Sequence, residues 1–435
     1  MKRKKGQKST KSSRRDFIKA TAAIGMTAVL PGKELLFAAG SDSSATDKLR
    51  VGLIGCGGRG TEAAVNCVNS APNVEVVAMG DLFQDQLDKS LAELSRKVDD
   101  KVSVTKDTSF VGFDTYKKVI ACDVDIVILA TPPHFRPEHF KAAIESGKHV
   151  FMEKPVAVDP TGIRSIITSS ELAEQKGLSV VAGTQRRHQA HYLEIIKRVH
   201  NGDIGEIVSA QCYWNMGELW VKKHNPEWSD VEWQCRNWLY FTWLSGDHIV
   251  EQHMHNLDII NWAIGTHPIQ AMGMGGRQVR TGPEFGNIFD HFAVEYEYPN
   301  GMRVSSMCRQ TAGCHEIIAE RVVGTKGQAY TDGSTGFIEG QNPYKYEGKS
   351  PDPYVQEHAD LIASIREGKA LNEGRRVAES TMTAIMGRMS AYAGRALSWD
   401  WVMNASKLDL SPPGYDFNID LPVEPVAIPG KTPLV

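Results

Sequence analysis

Three short stretches of this 435-residue chain carry residue types that could do chemistry. Gly55-Cys56-Gly57-Gly58-Arg59-Gly60 has the G-x-G-x-x-G spacing of a loop that cradles a pyrophosphate. The first glycine allows a tight turn, the second a close approach to phosphate, and the third close packing of helix on strand. The following helix N-terminus favours an anion. Asp81 ends the next apolar run, 21 residues beyond Gly60, where an acid bonds ribose hydroxyls and repels a 2′-phosphate. Gly55, Gly57, Gly58, Arg59, Gly60 and Asp81 thus predict a dinucleotide site that prefers NAD to NADP.

The second stretch, Glu153-Lys154-Pro155, follows a buried strand, at the edge where parallel sheets bind ligands. The third contains His248, Glu251, His255 and Asp258. Their offsets of three and four predict one face of one helix, with His253 pointing elsewhere. Acid and imidazole on one face suit proton transfer. The spacing of His248, Glu251 and His255 also admits zinc, but a nearby Lys154 would oppose a cation, and no metal is expected.

Residues 48–340 resemble the Gfo/Idh/MocA oxidoreductases. The resemblance rests on the glycine loop, Ala130-Thr131-Pro132-Pro133, His139, Gly147-Lys148-His149-Val150 and Glu153-Lys154-Pro155. It implies a Rossmann domain followed by an open, mostly antiparallel sheet that often builds oligomers, here a dimer or tetramer. It implies that Lys154 is catalytic, that His255 takes the catalytic histidine position, and that Thr131, Pro132, His139, Glu153 and Lys154 adjoin the cofactor. Glu251 stands where the family has aspartate, His253 where it has glycine, and Ser245-Gly246-Asp247 where it has a glycine-rich run. The substrate pocket is therefore not the family's common one.

In the expected reaction, Lys154 and His255 flank a secondary hydroxyl, one accepting its proton and the other holding the oxygen, while Glu251 tunes the pair. Further substrate contacts are expected from Arg186 and Arg187 after the last parallel strand, from His253 and Asp258, and from Arg236, Asn237 and Trp238. The last three lie in an aromatic-dense stretch, residues 213–243, suited to stacking on sugar rings or to filling core. The reading is an NAD-dependent oxidoreductase of a sugar or glycoside. The alternative is a redox-neutral NAD-dependent glycosidase or lyase acting through a transient 3-keto sugar.

The elements that must position these residues follow from hydrophobic pattern. Apolar runs at 49–54, 74–79, 125–130, 149–152 and 178–182 alternate with helical stretches at 61–69 and 140–146, predicting a doubly wound parallel sheet over residues 48–183. Period-two alternation at 207–216 and 290–310, broken at Pro299-Asn300-Gly301, predicts a second, antiparallel domain over 184–350. Shorter strands are expected at 317–323 and 329–331, a Pro/Tyr-rich loop at 343–356, and C-terminal helices at 355–366 and 376–395 within a terminal region 351–435.

Residues 1–39 hold Ser13-Arg14-Arg15-Asp16-Phe17-Ile18-Lys19, an apolar run too short to span a bilayer, and Phe37-Ala38-Ala39, in the order of a twin-arginine export signal. A linker at 40–47 follows. This predicts engagement with the Tat translocase, a periplasmic or otherwise exported enzyme, and no stable membrane anchor. With no NAD pool outside, the cofactor should stay tightly bound. Beyond residue 39 there remain 39 basic and 50 acidic residues, which excludes nucleic acid as a partner. The seven cysteines show no metal-type spacing and are expected mostly as buried thiols, with Cys308 and Cys314 the one candidate pair.

Overall fold

The computed structural model describes residues 47–435; the twin-arginine motif, its cleavage stretch and nearly all of the linker lie outside them. Six short apolar strands form the first sheet: β1 (Leu49–Ile54), β2 (Val74–Asp81), β3 (Ser109–Val111), β4 (Ile126–Leu129), β5 (His149–Met152) and β6 (Val180–Ala182). All pair in parallel, in the order β3-β2-β1-β4-β5-β6. This is the doubly wound order, whose switch point lies between β1 and β4. β4 and β6 are buried at every residue, as strands covered on both faces must be.

The second sheet has nine strands: β7 (Ile207–Met216), β8 (Gln270–Gly276), β9 (His291–Glu297), β10 (Arg303–Gln310), β11 (Ile317–Gly324), β12 (Gly327–Asp332), β13 (Gly336–Gly340), β14 (Tyr344–Lys345) and β15 (Leu397–Ser398). Their order is β14-β13-β12-β11-β7-β10-β9-β8-β15, and only the β7–β10 pair is parallel. The expected turn joins β9 to β10, with Asn300 at φ 70° and Gly301 at φ 77°. Buried residues alternate along β9 and β10, so one face packs inward. Helices Met254–Ile264 and Gly374–Ala393 cover that face.

The terminal helices are not an appendage. Helix Pro353–Arg366, which begins inside the stretch expected as loop, returns to the first domain. Its Leu361 and Ile362 join the core of Val51, Leu53, Ala63 and Ala64. Beyond it, Val180 donates to Leu371 O (2.7 Å) and Glu373 donates to Val180 O (2.9 Å), so this segment covers the free edge of β6. All seven cysteines are free thiols; Cys308 is buried while Cys314 is exposed, so they do not pair. Ile362→Ala should cost about 2–5 kcal/mol, read as a lower urea midpoint, and should also weaken NAD binding through the displaced helix Gly58–Ser70.

Candidate active site

The glycine loop turns at Gly55, whose φ of 96° suits a residue without a Cβ. A Cβ on Gly60 would lie 1.9 Å from Gly55 O, whereas one on Gly57 or Gly58 would meet nothing within 4 Å. The third glycine is therefore needed for packing, and the middle ones leave an open floor. Helix Gly58–Ser70 starts there with no side-chain cap, leaving its first amides for an anion. Asp81 ends β2, its carboxylate accepting from Cys56 N (2.6 Å) and Phe83 N (2.8 Å). Burial pushes this acid up, and the two amides oppose that rise.

These residues line a groove of about 730 Å³ together with Thr131, Pro132 and His139. The donor set fits NAD: amides for pyrophosphate, Asp81 for ribose, and Thr131, Pro132 and His139 on the far side of the loop. His139 stacks on Tyr116 (4.2 Å) and Phe135 (5.9 Å). Burial, aided by the Arg136 charge, pushes its imidazole down to about 3. Arg136, which sequence reasoning missed, is buried and donates to Leu129 O (2.9 Å), Thr131 O (2.7 Å) and Glu153 O (2.9 Å). It ties together the ends of β4 and β5, the residue before Lys154 included.

Lys154 Nζ reaches the second domain, donating to Glu251 Oε1 (2.9 Å) and Glu251 O (2.5 Å). His255 stacks with Trp214, ring centroids 5.7 Å apart at 17°. Burial first, then the charges of Lys154, Arg186 and Arg59, hold its imidazole well below the usual histidine range. Lys154, Glu251 and His255 are thus brought together.

The single helix expected here is two, His248–Glu251 and Met254–Ile264, separated at Gln252 and His253. His248, Glu251, His255 and Asp258 consequently do not share a face. His248 bonds Asp247 (2.9 Å) and packs against Phe292 (5.1 Å). Among the described residues, no three His, Cys, Asp or Glu side chains converge to hold a metal. Asp247 starts the turn with φ 72° and ψ 162°, a conformation reserved almost wholly for glycine. It is held there by bonds from Phe289 N (2.8 Å), Tyr392 OH (2.6 Å) and His248 N (2.5 Å). Its place in the run Ser245-Gly246-Asp247, where the family resemblance implies a glycine-rich run, was the available signal.

Several expected substrate contacts are corrected. His253 is fully buried and bonds Ser306 Oγ (2.7 Å), because its side chain turns to the sheet. Asp258 is bonded by Arg187 (2.8 Å), Arg376 (3.4 Å) and Ser380 (2.7 Å). Arg187 is thereby engaged in a buried pair. Arg186 bonds Glu320 (2.5 Å) and lies 5.4 Å from the Trp214 ring, so it acts behind that ring. Asn237 is fully buried and bonds Lys222 N (2.8 Å) and Glu284 O (2.7 Å), holding a loop.

Two cofactor contacts are also revised. Glu153 pairs with Arg59 (2.5 Å), and Arg59 also pairs with Glu357 (3.2 Å), so Arg59 lines the groove with its charge already matched. Arg236 and Trp238 line the cofactor groove with Trp220 and Trp228, whereas Trp214 stacks on the His255 ring.

The buried imidazoles set an acid limit on stability. His139 and His253 lie near 3 when folded, below the unfolded value of about 6.5. The unfolded chain then takes up protons first, and stability falls as pH drops below about 6.5. His188 has the opposite sign. Burial lowers it, but bonds to Asp360 and Glu373 outweigh that and raise it to about 9. Its contribution is complete below about pH 6.5 and is lost as pH rises towards 9. Urea midpoints measured against pH should show both limbs, and His188→Asn should flatten the alkaline one; an unchanged alkaline limb would refute that assignment.

Residues 49–184 match the profile described as "Oxidoreductase family, NAD-binding Rossmann fold", and residues 192–330 match "GFO/IDH/MocA C-terminal domain". The chain is 29% identical over 182 residues to a 2,7-anhydro-N-acetylneuraminate hydratase of Escherichia coli (strain K12), covering 41% of this chain and 44% of that one. It is 26% identical over 216 residues to an inositol 2-dehydrogenase/D-chiro-inositol 3-dehydrogenase of Halalkalibacterium halodurans, covering 50% and 53%. The matches thus span about half the length of these relatives. The aldose-aldose oxidoreductase of Caulobacter crescentus, solved with glycerol, shares the fold at a TM-score of 0.64 and 19% identity, covering 81% of this chain and all of that one. With both domains matched in order over the described fold, the chain belongs to the Gfo/Idh/MocA family of NAD-binding oxidoreductases.

Proposed function

We propose that this protein oxidises a secondary hydroxyl of a sugar or glycoside. The observation that carries the reading is the Lys154–Glu251 contact beside His255, at the carboxyl edge of the nucleotide-binding sheet. NAD, when bound, supplies the two-electron oxidant. His255 is held neutral by its surroundings and so stands in the proton-accepting form. Lys154 lies on the side from which it can hold the developing alkoxide, and Glu251 fixes the ammonium in place. Such acid–base assistance contributes about 10²–10⁴-fold. The inositol dehydrogenase and aldose oxidoreductase relatives support a polyhydroxylated substrate.

The same reading includes export by the Tat pathway, on the strength of Arg14-Arg15 and the apolar run behind them. It includes a tightly held cofactor, and a homo-oligomer, dimer or tetramer, formed through the second sheet. There Val208, Met272, Met274 and Met307 are all exposed, an apolar set that favours burial against another copy.

The hydratase relative supports a second reading, a redox-neutral lyase or glycosidase. A transient C3 ketone on the substrate acidifies the C2 proton. Its removal forms a C1=C2 double bond as the C1–O bond breaks, the electron pair leaving on the aglycone oxygen, which takes a proton. In the glycosidase water then adds across the double bond, and in either case the ketone takes back the hydride lost at the start. Lys154→Ala should lower turnover by about 10²-fold or more while NAD stays bound; wild-type turnover would refute the mechanism. Protein supplied with methyl and nitrophenyl glycosides in D₂O, without added acceptor, separates the readings by proton NMR. Loss of the C2 proton with aglycone release marks the redox-neutral path. A keto-sugar limited to one equivalent of enzyme marks the dehydrogenase.

A further inference from the structure

From Ser406 to Val435 the chain has no regular helix or strand, yet it is anchored repeatedly. Thr161 Oγ1 donates to Leu408 O (3.0 Å), and Leu410 N donates to Asp159 Oδ2 (2.9 Å), both on the nucleotide-binding domain. Gln234 Nε2 donates to Leu421 O (2.6 Å), on the second domain. Between these anchors the tail crosses from one domain to the other.

The crossing is aromatic. Tyr415 OH bonds His134 Nε2 (2.7 Å), and its ring lies 5.6 Å from Phe135 and 5.9 Å from Phe113. Phe417 lies 5.3 Å from Phe113 and stacks on Phe83 at 5.9 Å and 20°. Phe83, Phe113 and Phe135 are wall residues of the cofactor groove, next to Asp81 and the expected ribose position. Ile419 and Leu421 then pack into the cluster of Trp228, Trp233 and Trp243.

A second crossing is independent of the tail. Arg236, on the second domain, makes two bonds to Asp85 (3.0 and 3.2 Å) on the nucleotide-binding domain. Its guanidinium lies 3.8 Å from the Phe83 ring centroid and 5.0 Å from that of Trp228. Phe83 is therefore held by the tail and by Arg236 at once.

We infer that residues 409–421 are a strap that retains the dinucleotide by locking the aromatic wall at its adenosine end. The wall can part only if the Tyr415 and Phe417 contacts and the Arg236–Asp85 bridge open together, so release is slow compared with turnover. Tyr415 and Phe417 are positioning residues: they act through Phe83, Phe113 and Phe135. The inference rests on the NAD reading above.

The test is the full chain carrying Tyr415→Ala and Phe417→Ala, assayed for NAD retained through purification and for NADH release by stopped-flow fluorescence against excess NAD. Release should be at least tenfold faster than in wild type, and turnover should come to require added NAD. Phe417→Tyr with Tyr415 intact should restore slow release, which a general loss of packing would not allow. Wild-type release from the double variant would overturn the strap. Rapid release from the wild-type chain itself, with turnover sustained by added NAD, would also overturn it while leaving the NAD reading standing. Absence of any NADH fluorescence change would overturn both.

Discussion

Burying a charge is costly unless it is paired or hydrogen-bonded, and near the seam between the two sheets most charges are buried in pairs, while Arg136 is met by three backbone carbonyls instead. Arg59 meets Glu153 and Glu357, Arg186 meets Glu320, Arg187 and Arg376 meet Asp258, and Lys154 meets Glu251. Removing one partner of such a pair leaves an uncompensated charge, which is far more damaging than losing an exposed one. The seam therefore fixes how the domains meet. Of these pairs, Lys154–Glu251 stands beside His255, and the rest hold that arrangement in register.

That division explains what could be read from sequence. The glycine loop, Asp81 and the Glu153-Lys154-Pro155 segment depend on local geometry and on strand ends, and their places follow from pattern alone. β5 and β7 match their expected bounds residue for residue. Arg187, Asp258, Arg186 and His253 carried no such information. A buried polar residue looks the same in sequence whether its partner is a ligand or a distant side chain, and these partners lie far along the chain, as with Arg186 and Glu320. The 248–258 helix failed for a different reason. Offsets of three and four describe a face only if the helix is unbroken, and the break at Gln252 and His253 accompanies a bond from His253 to Ser306 on β10. The tail was illegible because its order comes from hydrogen bonds and aromatic contacts with residues remote in the chain.

His255 shows why environment decides a role. An imidazole near the surface would titrate within the working pH range. Here burial and three cationic neighbours act in the same direction, and Trp214 covers one ring face. Asp247 contributes from behind, its strained backbone setting the turn that delivers Glu251 to Lys154.

Helix Pro353–Arg366 packs on helix Gly58–Ser70, so the nucleotide-binding half of the molecule is closed by a segment synthesised long after the rest of it. Domains generally fold as they emerge during synthesis, but this one leaves the ribosome unfinished. Until the late helix arrives, Arg59 lacks Glu357 and the edge of β6 is bare. The charge of Arg59 in the dinucleotide groove is thereby fully matched only once almost the whole polypeptide exists.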